Sequence, residues 1–290
     1  MATIDAAFVI KHDRELIKAD LRLHQRPFHV ALAWIKEQAF SEPLLDDAIW
    51  KPLMSIYRGL YPSGDFSMPA LFEGGVALRD RMYTVRVNVA FGQLAIDPVD
   101  CIEIPKQELE VIYKLEPEQF WMAFYSVGDV IDFAYGTDDL SHTGGAAYEL
   151  LSNARSSIAA TARILQGDLD IDSAVQSACL AAELAMKGAL AHLGWAEARY
   201  RKLSHRLSDG AGALIKERPR RSDAQLGVAC AAFPDYVGTR YKSHGMTRRG
   251  LMMLAMRAQF VAADAVRRVT QRDFGSQLEA DNKTPSRVVP

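Results

Sequence analysis

The fold of this chain is decided by an alanine-rich stretch, ACLAAELAMKGALAHLG, at residues 178–194. Alanine has the highest helix propensity, and its small side chain lets neighbouring helix axes approach closely. Glu183 and Lys187 interrupt the apolar pattern four residues apart, so they can form an ion pair along the border of the apolar face. Gly194 ends the pattern. The stretch therefore predicts a helix inside a helical bundle, with one structural ion pair on its solvated edge.

Helical periodicity continues on both sides of this stretch. Apolar residues that recur every three or four positions predict further helices. Together with the first, they cover approximately residues 147–165, 173–194, 201–216, 222–234 and 247–269. We therefore predict an all-α bundle of about five helices over residues 141–273. Residues 274–290 lack periodicity, and we expect them to form a disordered tail.

Part of the first half alternates like β-strands. Apolar and polar residues alternate in MYTVRVNVAF (82–91) and again in LEVIYKL (109–115), a pattern typical of half-buried strands. Two short aromatic-rich runs follow, FWMAFYSV (120–127) and VIDFAYG (130–136). These segments predict a small antiparallel meander over residues 80–136.

The predicted elements divide the chain into two domains. Residues 13–60 have helical periodicity, which Pro27 breaks. The loop at 136–145 is rich in Gly, Asp, Ser and Thr, and every predicted element after it is helical. We predict a mixed α+β domain over residues 1–140, with no motif that indicates its role, followed by the helical bundle. The fold class is therefore α+β.

The composition of the 290 residues is typical of a globular protein, with 49% hydrophobic and 24% charged residues. No apolar run reaches the roughly 18 residues that a membrane helix needs. The N-terminus has no basic segment before an apolar core, so no signal peptide is predicted. The three cysteines are widely spaced, which disfavours a disulfide framework or a zinc site. We expect a cytoplasmic protein with no membrane partner.

Charge is distributed unevenly along the chain. Residues 1–150 contain 13 basic and 23 acidic residues, a net charge of −10. Residues 151–290 contain 21 basic and 13 acidic residues, a net charge of +8. Either an acidic domain docks on a basic one within the chain, or the basic half binds nucleic acid or nucleotides.

Common catalytic and cofactor motifs do not occur. The chain lacks the glycine-rich signatures of Rossmann and P-loop nucleotide sites and the GxSxG nucleophile motif. Asp138, Asp139 and His142 lie close together in the chain, but adjacent Asp residues in a Gly-rich loop usually form turns. We predict no metal and no cofactor.

Five features of the second half follow one another in a distinctive order. They are RILQG at the end of the first long helix, AELAMKGALAHLG, KLSHRL, FPDYVGTRY, and a last helix rich in alanine and basic residues. This order is similar to that of a HEPN domain, a five-helix bundle found beside nucleotidyltransferases and in many prokaryotic defence proteins. The similarity spans roughly residues 141–273 and lies at Glu183, Lys187, His205, Leu207, Arg240 and Tyr241. Arg206 departs from the family, which usually has an acidic residue after the histidine.

The resemblance also implies a catalytic alternative. Many HEPN domains are ribonucleases with an Arg and a His separated by four to six residues, and Arg199 and His205 have this spacing. An imidazole can move a proton from a 2′-hydroxyl, and a guanidinium can stabilise charge on the phosphate. Arg22 and His29 share the spacing, however, and Tyr200 replaces the polar residue that usually follows the nuclease arginine. The metal-independent ribonuclease is therefore the first alternative, not the leading interpretation.

The leading interpretation is a non-catalytic HEPN-like protein that binds a nucleotide, an RNA phosphate or a partner protein, in a prokaryotic defence or regulatory setting. Its candidate ligand-binding residues are cationic or aromatic. They are Lys202, His205, Arg206, Arg218, Arg220, Arg221, Arg240 and Tyr241. The family resemblance implies a homodimer through the bundle. A second alternative is a structural or interaction protein in which the acidic domain docks on the basic one.

Structural explanations of the same residues stay open. His205 can be a buried or capping residue, and Arg240 with Tyr241 can anchor the last helix. The run KERPRR (216–221) can be a solvated face, although it is also the best single candidate for phosphate contact.

Overall fold

The computed structural model describes residues 4–38, 47–66, 71–88, 95–235, 237–240, 244–281 and 284–290. The chain divides into two compact units, Met1–Pro69 and Ala70–Pro290. Each unit has its own hydrophobic core.

The described part of the first unit is mainly helical. Its helices are α1 (Ala6–Lys18), α2 (Arg26–Glu37) and α3 (Asp47–Leu60). Asp5 caps α1 by accepting a hydrogen bond from the Phe8 N–H at 2.7 Å. Pro27 lies in the first turn of α2, where its missing N–H breaks no intrahelical bond. The helical periodicity of residues 13–60 is thus divided near Pro27, as predicted.

A buried carboxylate connects these helices. Asp13 of α1 is 4% exposed and accepts hydrogen bonds from the hydroxyls of Tyr57, at 3.0 Å, and Tyr61. Arg26 lies 3.8 Å from the same carboxylate. Burial, and then the charge of Asp13, raise the pKa of Tyr57 above its ordinary value. The cluster is internally satisfied, so its role is to hold the helices together.

The second unit begins with an antiparallel pair of strands, β1 (Phe72–Leu78) and β2 (Arg81–Val87). A tight turn joins them, and Arg79 in that turn has a positive φ of 58°. Val76 lies opposite Tyr83, and both strands place valines in the core. The structure therefore confirms a small antiparallel sheet and the α+β class. The predicted strand continued to residue 91, and residues 89–91 lie outside the described part.

Both edges of this strand pair are occupied at their centres. On β1, Gly75 donates its N–H to the Gln259 side chain at 2.9 Å and accepts from the same amide at 2.7 Å. The next outward N–H, that of Ala77, points to the sulfur of Met256 at 3.3 Å. On β2, the carbonyl of Thr84 accepts from the Glu103 N–H at 2.9 Å.

Helices make up most of the second unit. They are α4 (Lys106–Leu115), α5 (Pro117–Asp139), α6 (Gly145–Gln166), α7 (Ala174–His192), α8 (Glu197–Arg201), α9 (Leu207–Glu217), α10 (Asp223–Ala231), α11 (Arg248–Arg267) and α12 (Phe274–Ala280). Five of them, α6, α7, α9, α10 and α11, occupy the stretches predicted to be helical after residue 141. Within the described ranges, no helix combines the length and the apolar character needed to cross a membrane.

The predicted strands at 109–115, 120–127 and 130–136 are helical instead. They lie in α4 and α5. Residues 125–134 are all buried, so α5 contacts protein on every side. A helix that is buried all round has no single apolar stripe with a 3.6-residue period, and aromatic and β-branched residues such as those of α5 are also typical of strands. This explains why the predicted strands at 120–127 and 130–136 of the meander were wrong. The predicted strand at 109–115 was wrong because its alternation does not follow burial: only Ile112 of α4 is buried.

The core of the second unit depends on close helix contacts. α7 packs between α6 and α11, and its alanines are nearly all buried. A Cβ on Gly188 would lie 2.8 Å from Leu151 and 3.2 Å from the Ala147 carbonyl of α6. A Cβ on Gly136 of α5 would lie 2.0 Å from Val266 of α11. Small residues therefore permit the helix separations observed.

The boundary between the units lies at Pro69, whereas the sequence placed it at residue 140. The sheet valines Val76 and Val85 belong to the same core as Ala182 of α7. The chain around residue 140 links α5 to α6 through a single 3₁₀ turn, Ser141–Thr143. Because the sheet packs on the helices that follow it, no separate domain ends there.

Ion pairs join the acidic and basic parts of the sequence inside this unit. Arg163 of α6 lies 2.9 Å from Glu73 of β1. Arg272 binds both oxygens of Asp139, at 2.6 and 2.7 Å. Arg267 of α11 makes similar pairs with carboxylates of α5. Much of the charge asymmetry is thus neutralised internally.

The segment predicted as a disordered tail is folded in its described part. Residues 274–280 form α12, and residues 284–290 continue beyond it. Arg287 is 3% exposed and pairs with Asp129 of α5 and with Glu279 of α12. Burial of an arginine needs such partners. The tail is ordered by these specific contacts, which carry no periodicity that the sequence could reveal.

Candidate functional site

The ion pair in the middle of α7 is present but buried. Lys187 Nζ lies 2.6 Å from Glu183 Oε1. The side chains are 12% and 7% exposed, respectively. The sequence indicated a solvated-edge pair worth tenths of a kcal/mol. Burial removes both charges from most of the water, so each depends strongly on its partners.

A third residue completes the cluster. His205 Nδ1 lies 2.8 Å from Glu183 Oε2. The other oxygen of this carboxylate, Oε1, is the one that binds Lys187. The His205 side chain is 46% exposed. It lies in the turn that connects α8 to α9. Ser204, immediately before it, has a φ of 53°, a left-handed conformation that non-glycine residues adopt rarely. The turn therefore holds His205 beside Glu183 at some conformational cost.

The electrostatics of the cluster orient the imidazole. An ionised carboxylate can only accept hydrogen bonds. Nδ1 of His205 must therefore carry the proton it shares with Glu183. Burial, and then the charge of Glu183, raise the pKa of the neighbouring Cys179 thiol to about 12. Cys179 is therefore a neutral core residue and not a nucleophile.

This arrangement gives the outer nitrogen of His205 a defined role. With Nδ1 protonated, Nε2 of the neutral ring is an acceptor that can take a proton. When the ring is doubly protonated, Nε2 becomes a donor and the ring carries positive charge, which suits a phosphate oxygen. The sequence assigned Glu183 only a structural role and did not connect it to His205, 22 residues later.

Arg199 does not join this cluster. Its guanidinium lies 3.3 Å from Glu217 and stacks 3.4 Å from the centre of the Trp195 ring. Glu217 is the last residue of α9, whereas His205 lies just before its first residue. The ends of an 11-residue helix are about 15 Å apart. The structure therefore holds Arg199 and His205 at opposite ends of α9.

The other predicted cations fall into two groups. Lys202 and Arg206 are exposed on the same turn as His205, and Arg206 pairs with Asp209 at 2.9 Å. Arg220 binds Asp273 at 2.7 Å, and Arg221 binds Glu279 at 2.9 Å. The first group surrounds the imidazole, and the second has structural partners in another part of the unit.

Arg218 lies apart from both groups. It is exposed and lines a polar pocket of about 440 Å³ beside His192 and Arg268. These residues stand at the C-terminal ends of α9, α7 and α11. Cations commonly neutralise the partial negative charge of such ends, so the pocket needs no ligand to explain it.

Two predicted site residues cannot be placed. Tyr241 lies outside the described residues, and of Arg240 only the backbone is described, in the 3₁₀ turn Gly238–Arg240. In the part of the chain that the structure does describe, no three His, Cys, Asp or Glu side chains converge in a way that suits a metal ion. Asp139 is engaged by Arg272.

Comparison of the chain with protein-family models, with curated proteins and with solved structures finds no match. The resemblance to HEPN domains therefore stays a prediction. Any functional assignment has to be supported by the geometry of the chain itself, and the Glu183–His205 pair is a polar feature that reaches the surface.

Proposed function

We propose that this chain binds a phosphate-bearing ligand, a nucleotide or RNA, at His205 and does not catalyse a reaction of that ligand. The observation that carries the proposal is a half-exposed imidazole whose inner nitrogen is bonded to a buried carboxylate at 2.8 Å. A purely structural histidine can be half-exposed as well, since water satisfies its second nitrogen. A ligand contact needs both the orientation and the access.

The surroundings of His205 supply further positive potential. Lys202 and Arg206 are exposed on the same turn. Arg206, at the N-cap of α9, makes no side-chain capping bond. The N-terminal end of a helix carries partial positive charge and presents backbone N–H groups, which favours an anion. Asp209 offsets the charge of Arg206, so Lys202 and the backbone N–H groups supply the positive potential.

Membership of the HEPN class is part of this proposal. It is supported by the match of Glu183, Lys187 and His205 to the family pattern, together with the contacts that Glu183 makes with both Lys187 and His205. The homodimer that the resemblance implies stays a prediction, and sedimentation equilibrium tests it directly.

Replacing His205 by alanine is expected to weaken binding of a fluorescent single-stranded RNA about tenfold or more at low salt, because one charge-assisted hydrogen bond is lost. Fluorescence anisotropy measures the dissociation constant, and competition with ATP tests a nucleotide in place of RNA. Glu183→Gln is expected to weaken binding less, since it only loosens the imidazole.

His142→Ala is the matched control for this experiment. His142 is also exposed, and lies in the 3₁₀ turn Ser141–Thr143. It should leave the affinity unchanged. Equal affinities of the wild type and His205→Ala for both ligands, or no binding by either protein, would reject the proposal.

A metal-independent ribonuclease is the second candidate, and the same contact favours it. A carboxylate that orients an imidazole is a common arrangement for a general base. Nε2 would take the proton of a ribose 2′-hydroxyl, and the oxygen would attack the adjacent phosphorus. The bond from phosphorus to the 5′-oxygen would break, and that oxygen would take a proton from water, which leaves a 2′,3′-cyclic phosphate; the imidazolium would then return its proton to solvent.

The two candidates are separated by incubating RNA with the protein in the presence of a chelator. The ribonuclease predicts cyclic-phosphate ends that disappear with His205→Ala. Because Arg199 lies at the other end of α9, Arg199→Ala should retain cleavage. Binding without cleavage supports the leading proposal, and loss of cleavage with Arg199→Ala would mean that the loop rearranges on RNA.

A structural or interaction role is the third candidate. The ion pairs between residues 70–150 and 151–290 explain the uneven charge without nucleic acid. This candidate predicts that neither RNA nor nucleotide binds at His205, so the anisotropy titration decides it as well.

A further inference from the structure

An apolar groove lies on the second unit among α4, the start of α5 and the segment before α4. It has a volume of about 580 Å³. Ile102, Ile104, Leu109 and Phe120 line its floor. The 3₁₀ turn Pro98–Cys101 forms one wall. The volume is within the range of specific binding sites.

The rim of the groove is acidic. Asp97, Asp100 and Glu110 line it, with Lys106 as the single cation among the lining residues. Asp97 also accepts the Val99 N–H at 3.1 Å. Among the described residues, none of the three rim carboxylates forms an ion pair. Other carboxylates of the acidic stretch are engaged by arginines, as Glu73 and Asp139 are. The rim of the groove therefore carries negative charge that the ion pairs described above do not neutralise.

One aromatic side chain of the groove is exposed to solvent. Tyr113 of α4 lines the groove and is 49% exposed. Val111 and Leu115, which are 43% and 72% exposed, each lie two positions from Tyr113 and therefore on another face of α4. Apolar floor and acidic rim together define the chemistry of the occupant.

We propose that this groove binds a basic amphipathic segment of a partner protein. Apolar side chains of that segment fill the floor, and its lysines or arginines meet Asp97, Asp100 and Glu110. The negative rim repels RNA phosphates and anionic lipid headgroups, so neither is the occupant. The site is separate from His205 and does not rest on the function proposed above.

The probe for this test is a labelled 14-residue amphipathic helical peptide of leucine and lysine, with a second peptide in which glutamate replaces lysine. Fluorescence anisotropy measures binding to the full chain. We expect the lysine peptide to bind and the glutamate peptide to bind at least tenfold more weakly, because only the first complements the rim.

The decisive variant combines Asp97→Asn, Asp100→Asn and Glu110→Gln, which keep shape and remove charge. Each rim charge contributes modestly, and together they should account for about a tenfold loss of affinity. The control combines Asp80→Asn, Asp138→Asn and Glu149→Gln, which removes the same charge from exposed positions that do not line the groove. It should bind within about twofold of the wild type.

A floor variant tests the apolar contribution. Leu109→Ala keeps every charge and should also weaken binding of the lysine peptide several-fold, since it removes apolar contact area. The proposal is overturned if the wild type does not bind the lysine peptide, if both peptides bind equally, or if the control variant loses as much affinity as the rim variant. The isosteric rim variant keeps the test valid if Leu109→Ala does not fold.

Discussion

Replacing Asp132 by alanine is expected to lower the free energy of unfolding of the second unit by about 3–5 kcal/mol, because it breaks a buried ion pair and leaves its partner behind. Asp132 is 1% exposed and accepts from Arg267 Nε at 2.7 Å. It also accepts from the N–H groups of Phe274 and Gly275, at 2.7 and 2.9 Å. One carboxylate thus connects α5, α11 and the start of α12.

The charge balance around Arg267 explains the size of this effect. Burial alone would lower the pKa of Arg267, but the carboxylates of Asp132 and Asp129 raise it above its ordinary value. The guanidinium is therefore charged within the core. Without Asp132 it keeps Asp129, which Arg287 also shares. The remaining partners of the two arginines are longer contacts, 3.7 Å from Arg267 to Asp273 and 3.6 Å from Arg287 to Glu279. The backbone donors of α12 also lose their acceptor.

Chemical denaturation followed by circular dichroism measures the loss. The control is Asp139→Ala, which removes a carboxylate from the same helix. Asp139 also binds an arginine with both oxygens, but this pair is 37–45% exposed. A surface pair is worth about 1 kcal/mol or less. Similar losses for the two variants would mean that burial does not determine the contribution of these ion pairs.

Replacing Gly136 by alanine is expected to destabilise the protein by about 2 kcal/mol or more, although alanine favours helices by about 1 kcal/mol over glycine. The new Cβ would lie 2.0 Å from Val266 Cγ1. Valine on a helix has one strongly preferred rotamer, so its methyl groups cannot easily turn away. α5 and α11 would have to move apart at their crossing.

A double mutant provides the direct check of this contact. Val266→Ala alone should destabilise by leaving a cavity, but in the Gly136→Ala background it should restore part of the stability. Gly212→Ala, at an exposed glycine of α9 with nothing within 4 Å of a new Cβ, is expected to be neutral or stabilising. Simple additivity of the two changes at 136 and 266 would contradict the proposed contact.

The helices after residue 141 could be predicted because each has one apolar face and recognisable ends. α6, for example, keeps a stripe from Leu151 through Ile158 to Leu165, and all three residues are buried. α5 offers no such signal. Its residues from Tyr125 to Ala134 are buried regardless of their position around the helix. Only the packing of other elements on every side distinguishes it from a strand, and that information is not local.

The candidate site, too, could be predicted from the sequence only in part. The spacing of Glu183 and Lys187 predicts their pair, since four residues is one helical turn. The contact with His205 depends on the turn between α8 and α9, where Ser204 adopts a left-handed conformation. No propensity rule places serine there. Local rules thus found two members of the cluster, and the path of the chain supplied the third.

The side chain of Gln259 has a consequence for how this protein behaves in concentrated solution. An exposed strand edge can pair with another molecule and start edge-to-edge aggregation. On β1, Gln259 occupies the outward N–H and carbonyl of Gly75, and Met256 faces the outward N–H of Ala77. On β2, the Glu103 N–H already bonds to the Thr84 carbonyl. A glutamine amide takes the place of the next strand at the centre of β1, and this blocks pairing with another molecule at that point of the edge.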